Sequence, residues 1–309
     1  MPSEQRPHVA QPRLRVAILG VGTVGAEVAR GFLRSPDRQI GPAGGRMLEL
    51  VAIADLNVQG AVDRGMPREL MVEDAFAALR RDDVDIVVEL LGGDEPARSL
   101  IAEALAAGKP VVTANKELLA NFGEELFEVA ATSGVDLLFE ASVAGGIPLI
   151  RPLRESLVGE RIRRVTGIVN GTTNYVLTRM SEEHCSFGEA LAEAQELGYA
   201  EADPTADVEG FDAGAKIAIL ASIAFGARVV AGDVYHEGIS GITAADIAFA
   251  GQNGFVVKLV AIAEKGGLHQ PFVDAAKVWL AHEAQEGVFT VDYIEDTKRS
   301  VAEAMPDPV

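Results

Sequence analysis

The segment from Leu14 to Gly25 constrains the fold more than any other part of the chain. Leu14 to Leu19 is a continuous apolar run, typical of a buried strand, and it leads into a glycine turn and then a helical pattern. The turn consists of Gly20, Val21, Gly22, Thr23, Val24 and Gly25. Its three glycines permit a tight turn, the approach of a pyrophosphate to the backbone, and close packing of helix on strand. The segment therefore predicts a dinucleotide site, with the pyrophosphate at the helix N-terminus.

Asp55 supports this interpretation because it follows a second apolar strand, Leu48 to Ala54. Its carboxylate can accept the hydrogen bonds of an adenine-ribose diol. Asp55 lies 30 residues after Gly25, more than the usual interval of about 20, and the Gly- and Pro-rich loop from Pro36 to Arg46 accounts for the extra length. No Arg or Lys occupies the next three positions, so a 2′-phosphate would meet an uncompensated acid and NAD is favoured over NADP. The alternative is a turn acid at a strand end.

Three further strand candidates alternate with helical patterns at Val84 to Glu89, Pro110 to Thr113 and Val135 to Glu140. This alternation predicts an α/β fold with a doubly wound parallel sheet of the Rossmann type. Ligands bind beyond the carboxyl ends of such strands. Three segments follow those ends, namely Leu91 to Gly93 with Gly92, Thr113 to Lys116, and Glu140 to Pro148. Lys116 is therefore a candidate cofactor-side residue, although a lysine at a strand end is commonly just solvated.

The second half of the chain changes pattern from Ile147 onwards and predicts a separate α+β domain. A helix around Pro148 to Leu157 and a strand from Arg161 to Val169 precede the polar loop Asn170 to Tyr175. Loops with such small hydrogen-bonding side chains ordinarily form turns and helix caps. Between a cofactor domain and the acidic segment that follows, this loop is equally suited to hold a small polar substrate.

The stretch from Gly198 to Leu220 gathers acids shortly before one lysine, Lys216. They are Glu201, Asp203, Asp207, Glu209 and Asp212, accompanied by Tyr199. Asp212 and Lys216 are four residues apart and share a helix face. Because the helix continues as an almost wholly apolar run, it is expected to be interior, where a lysine must be paired or reactive. The alternative is a solvated turn followed by an ordinary helical ion pair.

Composition excludes several partners. The chain has 46 acidic and 27 basic residues, for a formal net charge of -19, which opposes nucleic acid. The lone Cys185 and the absence of metal-ligand spacing indicate a reducing compartment. The longest apolar run, Ile217 to Ala227, is too short to span a bilayer. We therefore expect a soluble cytoplasmic protein without membrane association, divided into a disordered leader (1–12, not a signal peptide), a dinucleotide-binding domain (13–146), a substrate domain (147–265) and a tail (266–309).

The motifs GVGTVG, ELLGG, TANK, EASVAGGIP, NGTTNY and GYAEADPTADVEGFDAGAK, in this order, resemble homoserine dehydrogenase between about Leu14 and Glu264. The resemblance implies NAD(P)-dependent hydride transfer between L-homoserine and L-aspartate 4-semialdehyde, in threonine and methionine biosynthesis, by a homodimer. It places Lys116 and Lys216 at the reacting oxygen. Asp212 and Glu201 would bind the substrate's amino end or orient Lys216.

The resemblance also implies two wider sets of binding residues. Substrate-binding positions are Glu201, Tyr199, Asp207, Thr172, Asn170 and Gly171. A monovalent cation, sodium or potassium, would be held chiefly through backbone carbonyls of Glu140, Val143, Gly145 and Ile147.

After Glu264 the motifs stop, and residues 266–309 are interpreted as an atypical tail without a regulatory domain. Phe272, Ala276, Trp279 and Leu280 share one helical face, whereas Gly287 to Ile294 alternates like a strand. The unusual ending leaves open a catalytically inactive NAD-binding paralogue with a regulatory or binding role. A dehydrogenase acting on another small amino-aldehyde is the third hypothesis.

Overall fold

The computed structural model describes residues 13–34, 46–265, 272–282 and 289–293. The chain divides into two compact units. The first comprises the residues up to Leu118 together with Phe122–Phe139, and the second comprises Leu119–Asn121 and the residues from Glu140 onwards.

The first unit is a parallel sheet with helices between its strands. Its elements are β1 (Leu14–Leu19), α1 (Thr23–Arg34), β2 (Leu48–Ala54), α2 (Val58–Asp63), a 3-10 helix (Arg68–Leu70), β3 (Met71–Val72), α3 (Ala75–Leu79), β4 (Ile86–Glu89), α4 (Ala97–Ala106), β5 (Val111–Thr113), α5 (Lys116–Ser133) and β6 (Leu137–Leu138). The strand order is β3-β2-β1-β4-β5-β6, with parallel pairing. The chain winds outward from β1 in both directions, as the sequence predicts for a doubly wound sheet.

The core of this sheet explains its sequence pattern. Ile18 of β1, Ile53 of β2 and Ala29 of α1 are fully buried and belong to one cluster. Central strands of a parallel sheet are covered on both faces, so their side chains are apolar without alternation. This is why β1 and β2 have the bounds that the continuous apolar runs predict.

An ion pair lies at the amino-terminal end of β1, away from the glycine turn that follows its carboxyl end. The Arg15 guanidinium donates to both carboxylate oxygens of Asp85, at 3.0 and 2.9 Å, and the Arg15 backbone N–H donates to one of them at 2.8 Å. These bonds, the side-chain ones first, lower the pKa of Asp85 to about 2. The pair thereby joins β1 to the residue that precedes β4.

The second unit contains, in the described ranges, an antiparallel sheet and five α-helices, together with three short 3-10 or π-helical turns. Its elements are a 3-10 helix (Glu140–Ser142), a π-helical turn (Pro152–Ser156), β7 (Ile162–Gly167), α6 (Gly171–Glu183), α7 (Phe187–Glu196), α8 (Thr205–Val208), α9 (Phe211–Phe225), a 3-10 helix (Ala231–Asp233), α10 (Ala244–Gln252), β8 (Phe255–Glu264), β9 (Phe272–His282) and β10 (Phe289–Tyr293). The strand order is β10-β7-β8-β9. The helices α6, α9 and α10 pack against β8.

The predicted helical face at Phe272, Ala276, Trp279 and Leu280 is wrong, because these residues belong to β9. This strand pairs with β8 along its whole length, from Phe255 opposite His282 to Glu264 opposite Phe272. The spacing of apolar residues within one segment does not reveal a pairing strand, and strand pairing outweighs the local preference for a helix. The strand predicted between Gly287 and Ile294 is confirmed as β10. The short β3 was not predicted.

Candidate functional site

The glycine turn has the geometry that its sequence predicts. Gly20 has a positive φ of 90°, and a Cβ atom at Gly25 would lie only 2.0 Å from the Gly20 carbonyl oxygen. Gly22 has open space where its side chain would be. The helix α1 begins directly afterwards, at Thr23. The turn thus offers an accessible backbone at a helix N-terminus, which is suited to a pyrophosphate.

Asp55 is tied to this turn. Its Oδ2 accepts a hydrogen bond from the Val21 N–H at 3.0 Å, and its Oδ1 accepts one from the Asn57 N–H at 2.8 Å. Each carboxylate oxygen can accept a second bond, so the group can still receive ribose hydroxyls. Asp55 therefore lies beside the glycine turn, at the carboxyl end of β2.

Arg64 is a cation near this position that the sequence analysis missed. Its guanidinium donates to the Val21 carbonyl oxygen at 3.0 Å, so the peptide groups of Val21 are held by Asp55 on one side and by Arg64 on the other. The residue follows α2, nine positions beyond Asp55, so it lies outside the positions next to Asp55 where the sequence pattern indicates a phosphate-binding cation.

The loops after β4 and β5 are joined by side chains. The Asn115 amide donates to the Gly93 carbonyl oxygen at 2.7 Å, and its own oxygen accepts the Leu118 N–H at 3.1 Å, which caps α5. Lys116 is the first residue of that helix. The predicted cofactor residues Gly92, Gly93 and Lys116 therefore lie on two connected loops at one edge of the sheet.

In the second unit, Lys216 is held by two acceptors. Its ammonium donates to Asp212 Oδ2 at 2.6 Å and to the Val169 carbonyl oxygen at 2.7 Å. The Lys216 side chain is 18% exposed and that of Asp212 is 8% exposed. Because an ammonium group has three N–H donors, one remains for an incoming oxygen. The predicted helical pairing is confirmed, and it is a part-buried site, unlike the alternative solvated pair.

Asn170 connects this pair to a second acid. Its amide donates to Asp212 Oδ2 at 2.8 Å and to Asp207 Oδ1 at 2.6 Å, while its oxygen accepts bonds from the backbone and hydroxyl of Thr173. The whole side chain is thus engaged within the protein. Asn170 therefore holds the carboxylates of Asp207 and Asp212 in a fixed arrangement.

Asn174 fastens the same loop to the sheet. Its amide donates to the Leu259 carbonyl oxygen at 3.0 Å, and its oxygen accepts the Leu259 N–H at 3.1 Å. The strand β7, which lies beside β8, pairs with it only as far as Gly167 opposite Ala261. The side chain therefore satisfies the backbone of β8 beyond the last paired residue of β7. Its neighbour Asn170 is held near the sheet as a result.

The remaining predicted substrate residues lie around Tyr199. The Thr172 hydroxyl donates to the Tyr199 carbonyl oxygen at 2.8 Å, and the Tyr199 ring contacts Tyr175 with centroids 4.9 Å apart. Tyr199 and Glu201 are exposed, and so is Gly171. Burial and then a hydrogen bond to Glu193 raise the pKa of Tyr175. Tyr199, Glu201 and Gly171 are thus at the solvent-exposed side of the acidic segment.

Glu140 has a different set of contacts from a cation ligand. Its carboxylate accepts the N–H groups of Leu149, Ile150 and Arg151, at 2.6, 2.9 and 2.9 Å. It therefore caps the start of the helical turn that follows, and its backbone carbonyl is the atom left for a cation. Within the described ranges, no group of three or more His, Cys, Asp or Glu side chains is arranged to hold a metal ion.

A segment that the sequence analysis passed over supports the start of α9. The Ser240 hydroxyl donates to Glu209 at 2.8 Å, and the Ile239 N–H donates to the Val208 carbonyl oxygen at 2.7 Å. A Cβ atom at Gly238 would lie 2.5 Å from that same carbonyl oxygen. The close packing fixes the turn from which Asp212 and Lys216 project.

The class of the protein follows from the first unit, whose strand order, glycine turn and Asp55 are those of a dinucleotide-binding Rossmann domain. Two family models match the chain: "Homoserine dehydrogenase, NAD binding domain" at residues 20–140 and "Homoserine dehydrogenase" at residues 148–294. The chain belongs to the homoserine dehydrogenase family. The second match continues beyond Glu264, so the likeness extends further than the motifs indicate.

Individual relatives agree. Homoserine dehydrogenase of Corynebacterium glutamicum is 53% identical over 81% of this chain and 56% of its own length. That of Mycobacterium tuberculosis is 50% identical over 86% of this chain and 58% of its own length. The chain thus spans somewhat more than half the length of these relatives.

Solved structures give the same family. A homoserine dehydrogenase from Thiobacillus denitrificans has a TM-score of 0.84 at 40% identity, covering 91% of this chain and 66% of that one. A putative homoserine dehydrogenase from Archaeoglobus fulgidus has a TM-score of 0.77 at 31% identity, covering 90% of both chains. A hyperthermophilic archaeal homoserine dehydrogenase in complex with NADPH has a TM-score of 0.73 at 27% identity, covering 91% of this chain and 88% of that one. Across the part of the chain with described structure, no helix is both long and apolar enough to cross a membrane.

Proposed function

We propose that the protein catalyses hydride transfer between NAD(P) and the pair L-homoserine and L-aspartate 4-semialdehyde, as a step of threonine and methionine biosynthesis. The observation that carries the proposal is the Lys216 ammonium, which Asp212 and the Val169 carbonyl hold with one N–H to spare. Family membership supports the choice of substrate.

The cofactor supplies the hydride when it is bound, and the residues of the chain do the rest. The open backbone at Gly22 and the start of α1 are suited to its pyrophosphate, and Asp55 to its adenine ribose. Hydride addition to the aldehyde carbon leaves negative charge on the aldehyde oxygen. Lys216 donates a hydrogen bond to that oxygen and then a proton, which yields the alcohol. In the opposite direction the neutral amine accepts the hydroxyl proton.

The remaining residues have distinct tasks. Lys116 is proposed as the second ammonium group that serves the reacting oxygen. Asp207 and Glu201 are proposed partners of the substrate ammonium, because a carboxylate is the strong acceptor for such a group. Asp212 keeps Lys216 in place.

We propose NAD as the preferred cofactor, on the grounds of the carboxylate at Asp55. Arg64 weakens the electrostatic preference for NAD, because it puts a guanidinium on the other side of Val21. Equilibrium binding of NADH and NADPH decides between them. Tighter binding of NADPH would overturn the preference without affecting the proposed reaction.

A monovalent cation, a homodimer and a cytoplasmic location complete the proposal. The cation would bind backbone carbonyls of Glu140, Val143, Gly145 and Ile147, since the Glu140 carboxylate is engaged elsewhere. Sodium or potassium titration of the activity tests the first part. Sedimentation of the purified protein tests the second, and fractionation of the source cells tests the third.

The decisive experiment follows NADH or NADPH formation with L-homoserine. We expect turnover in the unmodified protein and its near-complete loss in Lys116→Ala and Lys216→Ala. Lys265→Ala, at an exposed position just after β8, is the matched control and should keep full activity. Dinucleotide binding without turnover would favour an inactive paralogue instead. Turnover with another amino-aldehyde or amino-alcohol, and none with L-homoserine, would mean that the substrate assigned here is wrong.

A further inference from the structure

Glu89, the last residue of β4, is a carboxyl group with no exposure to solvent. One of its oxygens accepts the Leu91 N–H at 2.7 Å and the Gly92 N–H at 3.3 Å. The other accepts the hydroxyl of Thr113 at 2.5 Å. Burying a carboxyl group is costly unless such partners compensate for the lost water, so these contacts fix the group and its neighbours together.

The contacts of Glu89 continue into a closed ring. The Thr113 hydroxyl oxygen accepts the Asn115 N–H at 3.0 Å, and the Asn115 side chain donates to the Gly93 carbonyl oxygen at 2.7 Å. Gly93 belongs to the loop after β4, the same loop whose Leu91 and Gly92 N–H groups donate to Glu89. A single buried carboxyl group therefore connects the loop after β4 with the loop after β5, from which Lys116 begins α5.

The position of this ring in the sheet indicates which part of a dinucleotide it serves. A doubly wound sheet binds the two halves of a dinucleotide on either side of the point where its winding reverses, which here lies between β1 and β4. Asp55 follows β2 and belongs to the adenosine side. Glu89 and Thr113 end β4 and β5, and so belong to the nicotinamide side.

We propose that Glu89 is a positioning residue for the nicotinamide half of the cofactor site. It holds the Leu91–Gly93 backbone and the start of α5 in one fixed arrangement, without contacting the cofactor. This inference rests on the proposed dehydrogenase function. Its consequence is selective: loss of the Glu89 acceptors impairs binding of the nicotinamide end and leaves the adenosine end intact.

Calorimetry with two ligands tests this selectivity. NADH has both halves, whereas ADP-ribose has the adenosine half without the nicotinamide ring. In Glu89→Leu, which removes both acceptors, we expect the Kd of NADH to rise about tenfold or more and that of ADP-ribose to change less than about twofold. Glu89→Gln, which restores one acceptor atom, should lie between Glu89→Leu and the unmodified protein.

Two further variants complete the test. Thr113→Val keeps the shape of the side chain and removes both bonds of the hydroxyl, the one to Glu89 and the one from the Asn115 N–H, while the bonds of Glu89 to the first loop remain. It should therefore show the same selectivity more weakly, and it decides the matter if Glu89→Leu does not fold. Asp55→Ala is the reciprocal control and should weaken both ligands. Equal loss of NADH and ADP-ribose in a folded Glu89 or Thr113 variant would overturn the inference, and so would unchanged NADH binding.

The failure of the inference is separable from that of the proposed function. If the unmodified protein binds NADH but does not oxidise L-homoserine, the reaction is wrong and the calorimetric comparison still judges Glu89. If the protein oxidises L-homoserine and the variants bind NADH normally, only the role of Glu89 is wrong. If the unmodified protein binds none of NADH, NADPH and ADP-ribose, both are overturned.

Discussion

Asp212 Oδ2 lies 2.6 Å from the Lys216 ammonium, one helical turn away in α9, and the Asn170 amide reaches the same oxygen at 2.8 Å. Asp212 is also in the first turn of its helix, where a negative charge is favoured by the helix dipole. The Asp212 carboxylate is therefore held by the Lys216 ammonium, the Asn170 amide and the helix dipole. Because Lys216 is bonded to this fixed carboxylate, its ammonium is held in position as well.

Asp212→Asn should lower kcat with L-homoserine on the order of a hundredfold, since a mispositioned proton donor loses much of its typical contribution. The affinity for NADH should not change, because Asp212 belongs to the acidic segment before Lys216 and is not part of the glycine turn proposed to bind the dinucleotide. Steady-state kinetics and calorimetry measure the two quantities. Asp246→Asn, in the first turn of α10, is the matched control and should leave kcat unaltered. An Asp212→Asn variant with normal kcat would refute the role given to this residue.

Asn170→Ala should weaken both folding and substrate binding. It leaves the Asp207 and Asp212 carboxylates without their shared donor and the Thr173 N–H without its acceptor. The fully buried Thr173 N–H is left unpaired, which costs about 1–3 kcal/mol, whereas Asp212 keeps the Lys216 ammonium as a donor. We therefore expect a loss of about 2–3 kcal/mol in the free energy of unfolding and a higher KM for L-homoserine. Asn253→Ala, which removes an exposed side-chain bond to Phe249, should cost less than about 1 kcal/mol. Equal effects of the two substitutions would contradict the prediction.

Gly25→Ala and Gly31→Ala make the same change in the same helix with opposite outcomes. At Gly25 the added methyl group would lie 2.0 Å from the Gly20 carbonyl oxygen, so we expect a loss of NADH binding and of stability. At Gly31, which has nothing within 4 Å, alanine should stabilise the helix by about 0.5–1 kcal/mol. Calorimetry with NADH and thermal unfolding distinguish them. Normal NADH binding by Gly25→Ala would show that the turn can relax.

Asp85→Asn should destabilise the protein in a pH-dependent way. Arg15 lowers the folded-state pKa of Asp85 to about 2, below the value of about 3.9 in an unfolded chain. The contribution to stability is therefore fully present above about pH 4 and is lost as the pH falls through 2. Because the Arg15 and Asp85 side chains are 37% and 32% exposed, we expect only about 1 kcal/mol at pH 7.

Denaturant unfolding of Asp85→Asn and the unmodified protein at pH 7, 4 and 2.5 measures this difference. The difference between the two stabilities should be smaller at pH 2.5 than at pH 7. Asp82→Asn, a change at an exposed neighbouring acid, should show no such trend. A difference that is constant from pH 7 to 2.5 would mean that the ion pair is not its cause.

The sequence predicts those parts of the fold and site that local spacing determines. The strands β1 and β2 are apolar runs bounded by turn residues, and the Asp212–Lys216 pair follows from helical periodicity. The helix predicted at β9 is wrong because the apolar spacing within β9 does not show its antiparallel pairing with β8. Family membership was recognised from motifs that the glycine turn and the NGTTNY loop contain.

The missed residues have a common physical reason. In the sequence, Glu89 is simply the final residue of an apolar strand. The neighbouring residues do not indicate that the Thr113 hydroxyl and the Leu91 N–H donate to its carboxylate. Arg64 is separated from Asp55 by the whole of α2. Contacts between strand ends depend on the order of strands in the sheet, which a single segment does not contain.

Asn174 has a consequence for how this protein tolerates changes in chain length. Because one amide group replaces the neighbouring peptide for both the N–H and the carbonyl of Leu259, it must arrive at a fixed point along β8. Substitutions at exposed positions of the loop, at Gly171 for example, leave that point untouched. A single inserted or deleted residue between Asn170 and Asn174 would rotate the amide away from the strand by about 100°, the angle between successive helical residues. The spacing of the two asparagines therefore fixes the number of residues at the start of α6 relative to one point of β8.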